Sequence, residues 1–267
     1  MKSTSIVVVD AFAARPFSGN PAAVCISSDD RDDAWRQAVA AEMNLAETAF
    51  VQPTADPLTF GLRWFTPALE VRLCGHATLA SAHAIWEAGL VAFDKPIRFS
   101  TLSGTLTCSR LGDSWIEMDF PSTQPREVSI PDALAAALGC EVDRCFQTEF
   151  DYLVEVEEAA KVRALEPNMA LLRALDVRGV IVTSRADREG LDFISRFFAP
   201  AAGVDEDPVT GSAHCALGPY WQVKLNKSEM TAYQASRRGG TVCLSVRDDR
   251  VLLRGQAVTV SRVEMLA

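Results

Sequence analysis

The segment NLAETAFV (residues 44–51) places a carboxylate among apolar residues. If the segment forms a strand, alternate side chains point the same way, so Leu45, Glu47, Ala49 and Val51 share one face. A carboxylate on an apolar face is rare unless it is paired or used. Two interpretations stay open: Glu47 pairs with an arginine or reaches the surface at the strand end, or it is a general acid/base.

A second group of reactive residues lies in LCGHAT (73–78), where an Ala- and Leu-rich segment predicts the start of a helix. Gly75 allows a close backbone approach, and free N–H groups at a helix start favour an anion. His76 in the first turn either faces solvent or takes part in chemistry. Cys74 is either a small buried residue or a reactive thiolate. We expect His83, two turns deeper, to be structural.

A third group lies in DEDPVTGSAH (205–214), at the start of another predicted helix. Its carboxylates precede Pro208, and Gly211 and Ser212 open the helix. One interpretation is a solvated acidic loop that caps the helix, which suits Asp205 and Glu206. The other interpretation gives Asp207 a place in a site.

Signatures of common cofactor and metal sites are missing from the sequence. It contains no GxGxxG, no GxxxxGK[ST] and no GxSxG. The three histidines, His76, His83 and His214, include no pair with HxxxH spacing. We therefore expect no cofactor and no metal.

Charge and cysteine content limit the class of protein. The net charge of −9 disfavours nucleic acid and anionic membranes as partners. The apolar run near the N-terminus stops at Asp10, which is too short for a membrane span. Seven cysteines without a CxxC spacing suit a reducing cytoplasm with free, mostly buried thiols.

The chain carries an internal repeat. RWFTPA (63–68) resembles RFFAPA (196–201) at an offset of 133 residues, and the next matches, Gly75 with Gly211 and Gly104 with Gly240, follow at an offset of 136. Matches in the same order at nearly constant offsets indicate an ancient duplication. We expect two similar halves related by a pseudo-twofold axis.

Each half has many short predicted strands and one central helix, which indicates an α+β fold rather than a doubly wound nucleotide fold. Smaller helices are predicted at about 31–43, 131–138 and 155–176; Pro131 and Pro167 mark starts, and Gly139 and Gly179 mark ends. We place the N-terminal half at 1–119 and the C-terminal half at 120–255, with a last strand, 256–267, free to return to the first half. Under a twofold axis both central helices would begin at one cleft, where Glu47, His76 and Asp207 could meet around a small carboxylate.

Four segments together resemble the PhzF-like isomerase family of phenazine biosynthesis: DAFAARPFSGNPAAV (10–24), EMNLAETAFV (42–51), RWFTPALEVRLCGHATLASAH (63–83) and DEDPVTGSAH (205–214). The resemblance implies a diaminopimelate-epimerase-like fold with two halves, each a barrel-like sheet around a central helix. It also implies cofactor-free isomerisation by proton transfer. The family's acid/base glutamate falls on Glu47, its histidine on His76, its aspartate on Asp207 and its serine on Ser212. Backbone amides near Gly75 and Gly211 would hold the substrate carboxylate.

The epimerase branch of this fold uses two facing cysteines, whereas here Cys74 takes the first position and the second half offers none at the matching place. We therefore expect a cytoplasmic isomerase that moves a proton between carbons of a small hydroxy- or amino-substituted carboxylic acid, and the family resemblance implies a homodimer. Asn20 is a further candidate for substrate binding. The alternatives are an amino-acid racemase or epimerase that uses Cys74, and a catalytically silent binding member of the fold.

Overall fold

A computed structural model describes residues 3–112 and 114–266. The chain divides into two compact units, the first formed by Met1–Asp119 with Arg254–Ala267 and the second by Phe120–Leu253. The last strand crosses the boundary at Arg254, so the C-terminus returns to the unit that contains the N-terminus.

The first unit is a closed barrel. Its strands are β1 (Thr4–Ala11), β2 (Asn20–Ile26), β3 (Glu47–Pro53), β4 (Thr59–Phe65), β5 (Glu70–Val71), β6 (Ile97–Thr101), β7 (Gly104–Leu111), β8 (Trp115–Pro121) and β17 (Arg250–Met265). Neighbours around the barrel are β17, β1, β2, β3, β4, β6, β7 and β8, and β8 pairs with β17 to close it. The short strand β5 pairs with β4.

Helix α2 (Gly75–Glu87) is the central helix of this barrel, and it contacts β1, β2 and β3. Eleven of its thirteen residues are buried, and most of these are alanines or other small side chains. A helix that is apolar all round belongs in a core, and small side chains allow strands to surround it closely.

Helix α1 (Asp33–Met43) packs on the outside of the barrel sheet. Asp32 caps it by accepting from the backbone N–H of Trp35, and Asn44 ends it in the left-handed conformation. Its buried face joins an apolar cluster that includes Phe50 and Phe65. Leu45 packs against this same cluster, ahead of the first residue of β3. The expectation that Leu45 and Glu47 share one strand face is therefore wrong, because the strand starts only at Glu47.

The second unit contains the strands β9 (Arg126–Val128), β10 (Arg144–Gln147), β11 (Asp151–Glu155), β12 (Gly179–Arg185), β13 (Phe193–Ala199), β14 (Val204–Asp207), β15 (Glu229–Gln234) and β16 (Gly240–Arg247). Its helices are α3 (Asp132–Leu138), α4 (Ala159–Ala164), α5 (Met169–Arg173) and α6 (Gly211–Leu225), with a 3₁₀ turn at Pro200–Ala202.

The two units share one pattern of strand pairing, which confirms the predicted duplication. In the first unit β1–β2 is antiparallel, β2–β3 parallel, β3–β4 antiparallel, β4–β6 parallel and β6–β7 antiparallel. In the second unit β10–β11, β11–β12, β12–β13, β13–β15 and β15–β16 repeat that series. The central helices α2 and α6 stand at the same place in the two series.

The arginine that opens each copy of the repeated motif makes the same contact in both units. Arg63 in β4 pairs through Nε with Glu70 of β5 at 2.7 Å, and Arg196 in β13 pairs through Nε with Glu206 of β14 at 2.6 Å. Both pairs join a long strand to the short strand that follows it. A conserved ion pair of this kind between the copies explains why the arginine recurs in the sequence.

The predicted helix at 155–176 is the least accurate of the expected elements. Two short helices, α4 and α5, occupy it, and Pro167 lies just before the α5 cap at Asn168. Gly179 does not end a helix but begins β12. A Cβ at that position would lie 2.7 Å from the Phe197 ring and from the carbonyl oxygen of Phe198, so close packing requires the glycine.

Membrane-crossing helices were not found in the part of the chain that the structure describes, since none there is both long and apolar enough. All seven cysteines lie in the described part of the chain; none of them forms a disulfide, and five are buried.

Candidate active site

Glu47 is the first residue of β3, opposite Ala22 of β2 in a parallel pair. The following residues, Thr48 and Ala49, are fully buried, whereas 16% of the Glu47 side chain is exposed. The carboxylate therefore stands at the end of a buried strand, with one edge still reachable from outside.

His76 is the second residue of α2, and only 4% of its side chain is exposed. Its Nε2 lies 3.2 Å from Glu47 Oε2, an ion-pair distance, but the ring N–H is not aimed well enough for a good hydrogen bond. Burial lowers the pKa of His76 to about 3, so the ring is neutral at neutral pH. The pair is thus a carboxylate beside a neutral imidazole.

Asn20, the first residue of β2, contacts the other side of the His76 ring. Its Nδ2 lies 3.0 Å from His76 Nδ1, and the side chain is fully buried. When the amide donates, Nδ1 is the acceptor and the ring proton is on Nε2, beside Glu47. The preceding Gly19 has φ +63°, and a Cβ there would lie 2.1 Å from the carbonyl oxygen of Ala11. Gly19 therefore allows the close turn that places Asn20.

Cys74 occupies the N-cap position of α2, and its Sγ lies 3.5 Å from His76 Nδ1. The thiol is buried, with 7% of the residue exposed. No side chain caps the helix here, so the first backbone N–H groups of α2 stay available to an anion. The site combines a carboxylate, a neutral imidazole, a thiol and a helix N-terminus.

Glu47, Cys74 and His76 also form a set of potential metal ligands. One donor atom from each lies within 4.8 Å of the others. The search for HxxxH spacing missed this set because Glu47 belongs to β3 and the other two residues to the start of α2. The nearest sequence signal is the Cys-x-His spacing of Cys74 and His76.

Asp207, Gly211 and Ser212 lie in the second unit. Asp207 ends β14, and its Oδ2 accepts from the Thr210 hydroxyl at 2.5 Å. The backbone carbonyl of Asp207 accepts from Gln234 Nε2 at 2.8 Å. These contacts hold the segment that leads into α6, which Gly211 opens.

Ser212 in the first turn of α6 accepts from Arg178 Nη2 at 3.2 Å. Arg178 in turn donates to both carboxylate oxygens of Asp151, which is buried. Burial raises the pKa of Asp151 above its ordinary value, against the opposing effect of Arg178. Sequence reasoning missed Arg178 and Gln234, because neither belongs to a motif and each acts through a contact distant in sequence.

The remaining singled-out residues have structural contacts. Asp205 is exposed and pairs with Arg173 at 3.5 Å, whereas Glu206 is held by Arg196. Asp205 is therefore solvated as expected. The expectation is wrong for Glu206, which is mostly buried and paired with Arg196. His83 Nε2 lies 3.2 Å from the Thr259 hydroxyl.

Comparison with known proteins defines the class. The duplicated strand pattern, with one long helix in each unit, is the diaminopimelate-epimerase-like fold. A hydroxyproline epimerase of Agrobacterium vitis superposes with a TM-score of 0.68 at 10% identity, covering 98% of this chain and 92% of that one. The phenazine biosynthesis-like family matches residues 9–263, and the chain belongs to this family.

Two relatives illustrate the closeness of the match. An uncharacterized isomerase of Halalkalibacterium halodurans is 55% identical over 267 residues, the full length of both chains. The crystal structure of a PhzF family protein from Enterococcus faecalis superposes with a TM-score of 0.94 at 37% identity and full coverage of both chains. The family and the names of its members indicate an isomerase of the PhzF type.

Proposed function

We propose that the protein is a cofactor-independent isomerase that moves a proton between carbons of a small hydroxy- or amino-substituted carboxylic acid. Glu47 takes the proton from one carbon and returns it to another. The observation that carries this proposal is the 3.2 Å approach of the partly exposed Glu47 carboxylate to the buried, neutral ring of His76.

A proton shuttle needs a base that substrate can reach. Glu47 keeps one exposed edge, whereas Thr48 and Ala49 after it and the neighbouring His76 are buried. With its proton on Nε2, His76 places a neutral N–H group 3.2 Å from the Glu47 carboxylate, where a modest turn of either side chain would complete a hydrogen bond. When Glu47 carries the substrate's proton, the same imidazole remains beside it as a neutral neighbour.

The start of α2 supports binding of a carboxylate substrate. Its backbone N–H groups at Gly75 and His76 are not capped by a side chain, and the helix dipole favours an anion there. Such binding would fix the reacting carbon relative to Glu47. Positioned acid/base catalysis contributes about 10²–10⁴-fold in rate, and orientation and fixed dipoles supply the remainder.

Asp207 and Ser212 enter this proposal as residues that contact the substrate's polar group. Their support comes from the family motif that they match and from the firm placement of their segment by Thr210, Gln234 and Arg178. Replacing Asp207 with Asn tests that role through kcat and KM.

Deuterium uptake from D₂O tests the proposal. The protein is incubated with a panel of small unsaturated and α-substituted carboxylates, including trans-2,3-dihydro-3-hydroxyanthranilate. Mass spectrometry follows label, and ultraviolet spectra follow product, because a proton returned internally leaves no label. We expect label or product with the wild type and neither with Glu47→Gln.

The matched control is Glu42→Gln, an identical change at an exposed position of α1. It should behave as wild type. Turnover that survives in Glu47→Gln would refute the assignment of Glu47 as the shuttle.

A second function, racemisation or epimerisation through Cys74, is favoured by one observation: the Cys74 thiol lies at the start of α2, 3.5 Å from His76 Nδ1 and within 4.8 Å of the Glu47 carboxylate. This function predicts that Cys74→Ala or alkylation of Cys74 abolishes activity while Glu47→Gln spares it. Proton transfer by Glu47 predicts the opposite: Glu47→Gln abolishes activity, and Cys74→Ala spares it.

A further inference from the structure

The duplication assigns a counterpart in the second unit to the position of Glu47. Arg63 and Arg196 are equivalent, and the residue paired with each of them lies three places after the start of β3 or of β12. Glu47, which starts β3, and Gly179, which starts β12, therefore occupy equivalent positions. The carboxylate of the first unit is replaced by a glycine in the second.

The central helices provide a matching pair of positions. His76 is the second residue of α2, and Ser212 is the second residue of α6. In the first unit, Glu47 lies beside His76. In the second unit Gly179 has no side chain, and Arg178, one residue earlier, donates from Nη2 to Ser212 Oγ at 3.2 Å. A guanidinium thus contacts the helix residue in the second unit, as a carboxylate does in the first.

Several contacts fix the guanidinium of Arg178. Nε donates to Asp151 Oδ1 at 2.9 Å and Nη2 donates to Asp151 Oδ2, and only 4% of the Asp151 side chain is exposed. The ring centroids of Phe150 and Phe197 each lie 5.5 Å from the guanidinium carbon. The backbone N–H of Arg178 donates to the Phe150 carbonyl oxygen at 2.8 Å. Because a bidentate carboxylate and two aromatic rings restrict the planar group, Nη2 meets Ser212 in a defined geometry.

This contact determines how the Ser212 hydroxyl can act. A hydroxyl has one proton and two lone pairs, whereas a guanidinium can only donate. The hydrogen bond from Arg178 therefore uses a lone pair and leaves the hydroxyl proton for another acceptor, and none of the described residues accepts that proton. A charged donor at the oxygen also polarises the O–H bond, which strengthens donation by the proton. Ser212 is thus prepared to donate to an anion.

We propose that Arg178, held by Asp151, is a positioning residue that presents the Ser212 hydroxyl as a hydrogen-bond donor to the substrate's carboxylate. This inference rests on the proposed function, in which Ser212 contacts the substrate. It adds that the second unit contributes charge for binding, whereas the first contributes the group that moves the proton. Loss of Arg178 should weaken binding and leave the chemical step nearly intact, because the carboxylate keeps its charge throughout the reaction.

The first measurement needs no substrate. Ser212→Cys places a thiol at the position of the hydroxyl, and the pH dependence of its alkylation by iodoacetamide, followed by peptide mass spectrometry, gives the pKa of that thiol. We expect this pKa to rise by about one unit when Arg178→Gln is added, because a cation within about 4 Å stabilises the thiolate. Adding Asp151→Asn together with Arg178→Gln should also raise it. This pair variant leaves no buried carboxylate unpaired, so the shift can be measured even if the single variant does not fold.

The second measurement is a double-mutant cycle with the substrate that the deuterium panel identifies. Ser212→Ala and the pair variant should each raise KM about tenfold or more and change kcat by less than about threefold. Combined in one chain, they should raise KM no further than either does alone, because Arg178 acts through Ser212. Arg178→Lys keeps a cation that can donate, and it should recover part of the lost affinity.

The matched control is the bidentate ion pair of Arg163 and Asp187 on the surface of the same unit. Arg163→Gln with Asp187→Asn should leave the thiol pKa and KM unchanged. A panel without turnover counts against the proposed function, and the thiol pKa still decides whether Arg178 acts on position 212. A thiol pKa that loss of Arg178 does not move, or additive effects on KM, overturns the proposal. A raised thiol pKa together with non-additive effects on KM supports it.

Discussion

Asn20 Nδ2 lies 3.0 Å from His76 Nδ1, and this buried contact decides which nitrogen of the ring carries the proton. With the amide as donor, the proton is on Nε2, 3.2 Å from the Glu47 carboxylate. The Asn20 amide on β2 therefore determines whether the Glu47 carboxylate on β3 faces an N–H group or a nitrogen lone pair of His76.

Replacing Asn20 with Asp should reverse this arrangement. A carboxylate accepts but does not donate, so it would draw the ring proton to Nδ1 and leave Nε2 as a lone pair facing Glu47. We expect kcat to fall about tenfold or more. Nitrogen-15 NMR of the imidazole should show the Nε2–H form in wild type and the Nδ1–H form in the variant.

Asn226→Asp, the same change at the exposed end of α6, should leave both the NMR signals and kcat unchanged. A wild-type ring that already carries its proton on Nδ1 would contradict the role assigned to Asn20.

Gly19 provides a test of how the backbone places Asn20. Gly19→Ala meets two obstacles: a positive φ of +63° and a Cβ 2.1 Å from the carbonyl oxygen of Ala11. Gly112→Ala is the matched control, because Gly112 has φ +60° with nothing within 4 Å of its Cβ. The control should lose about 1 kcal/mol of unfolding free energy, as expected for φ alone.

Gly19→Ala should lose about 1–3 kcal/mol more than the control, since strain from the clash adds to that of φ. Urea denaturation measures both values. Equal losses in the two variants would mean that the turn at Gly19 relaxes freely, and that it does not constrain Asn20.

The repeated motifs predicted the architecture well, because motifs that occur twice in the same order indicate that the pattern of strands and helices around them also occurs twice. RWFTPA and RFFAPA begin on β4 and β13 and continue past the ends of these strands, and the series of parallel and antiparallel pairings around them is the same. The helix predicted at about 31–43 is found at Asp33–Met43, and the structure shows Asp32 and Asn44 as its caps. The region 155–176 was not predicted closely, since α4 and α5 have only six and five residues, too few for a periodic pattern.

The candidate site was only partly accessible from sequence for a different reason. Glu47 and His76 stood out because each is an ionisable residue in an apolar or helix-start setting. The contact between Arg178 and Ser212, and the closeness of Cys74 to Glu47, depend on the three-dimensional arrangement of separate elements. Spacing along the chain carries no signal for such contacts.

Glu47→Asp tests whether the position of the carboxylate, and not just its charge, determines activity. The change withdraws the carboxylate by one methylene while keeping its chemistry. Because misplacing a catalytic group by about 1 Å can cost about 10²-fold in rate, we expect kcat to fall by that order. Glu42→Asp, at an exposed position, should be neutral. If Glu47→Asp is as active as wild type, the substrate must shift to meet the shorter side chain, which would contradict a carboxylate held at one fixed position.

Two buried histidines predict a loss of stability in mild acid. Burial lowers the pKa of His76 to about 3 and that of His214 to about 4, from an ordinary value of 6.5. A base whose pKa is lowered on folding binds its proton in the unfolded state first. The free energy of unfolding is therefore unaffected by the histidine above about pH 6.5, and it decreases as the pH falls toward the pKa of the folded state.

Between about pH 6 and pH 4 each histidine should remove about 1.4 kcal/mol of unfolding free energy per pH unit. Urea denaturation across this range measures the slope. His214→Gln removes one titrating group. The slope of unfolding free energy against pH should therefore decrease by about 1.4 kcal/mol per pH unit, even if the substitution lowers stability at pH 7. His83, which is only half-buried, is the matched position, and His83→Gln should change the slope less. An unchanged slope in His214→Gln would show that His214 becomes protonated in the folded state as readily as in the unfolded chain.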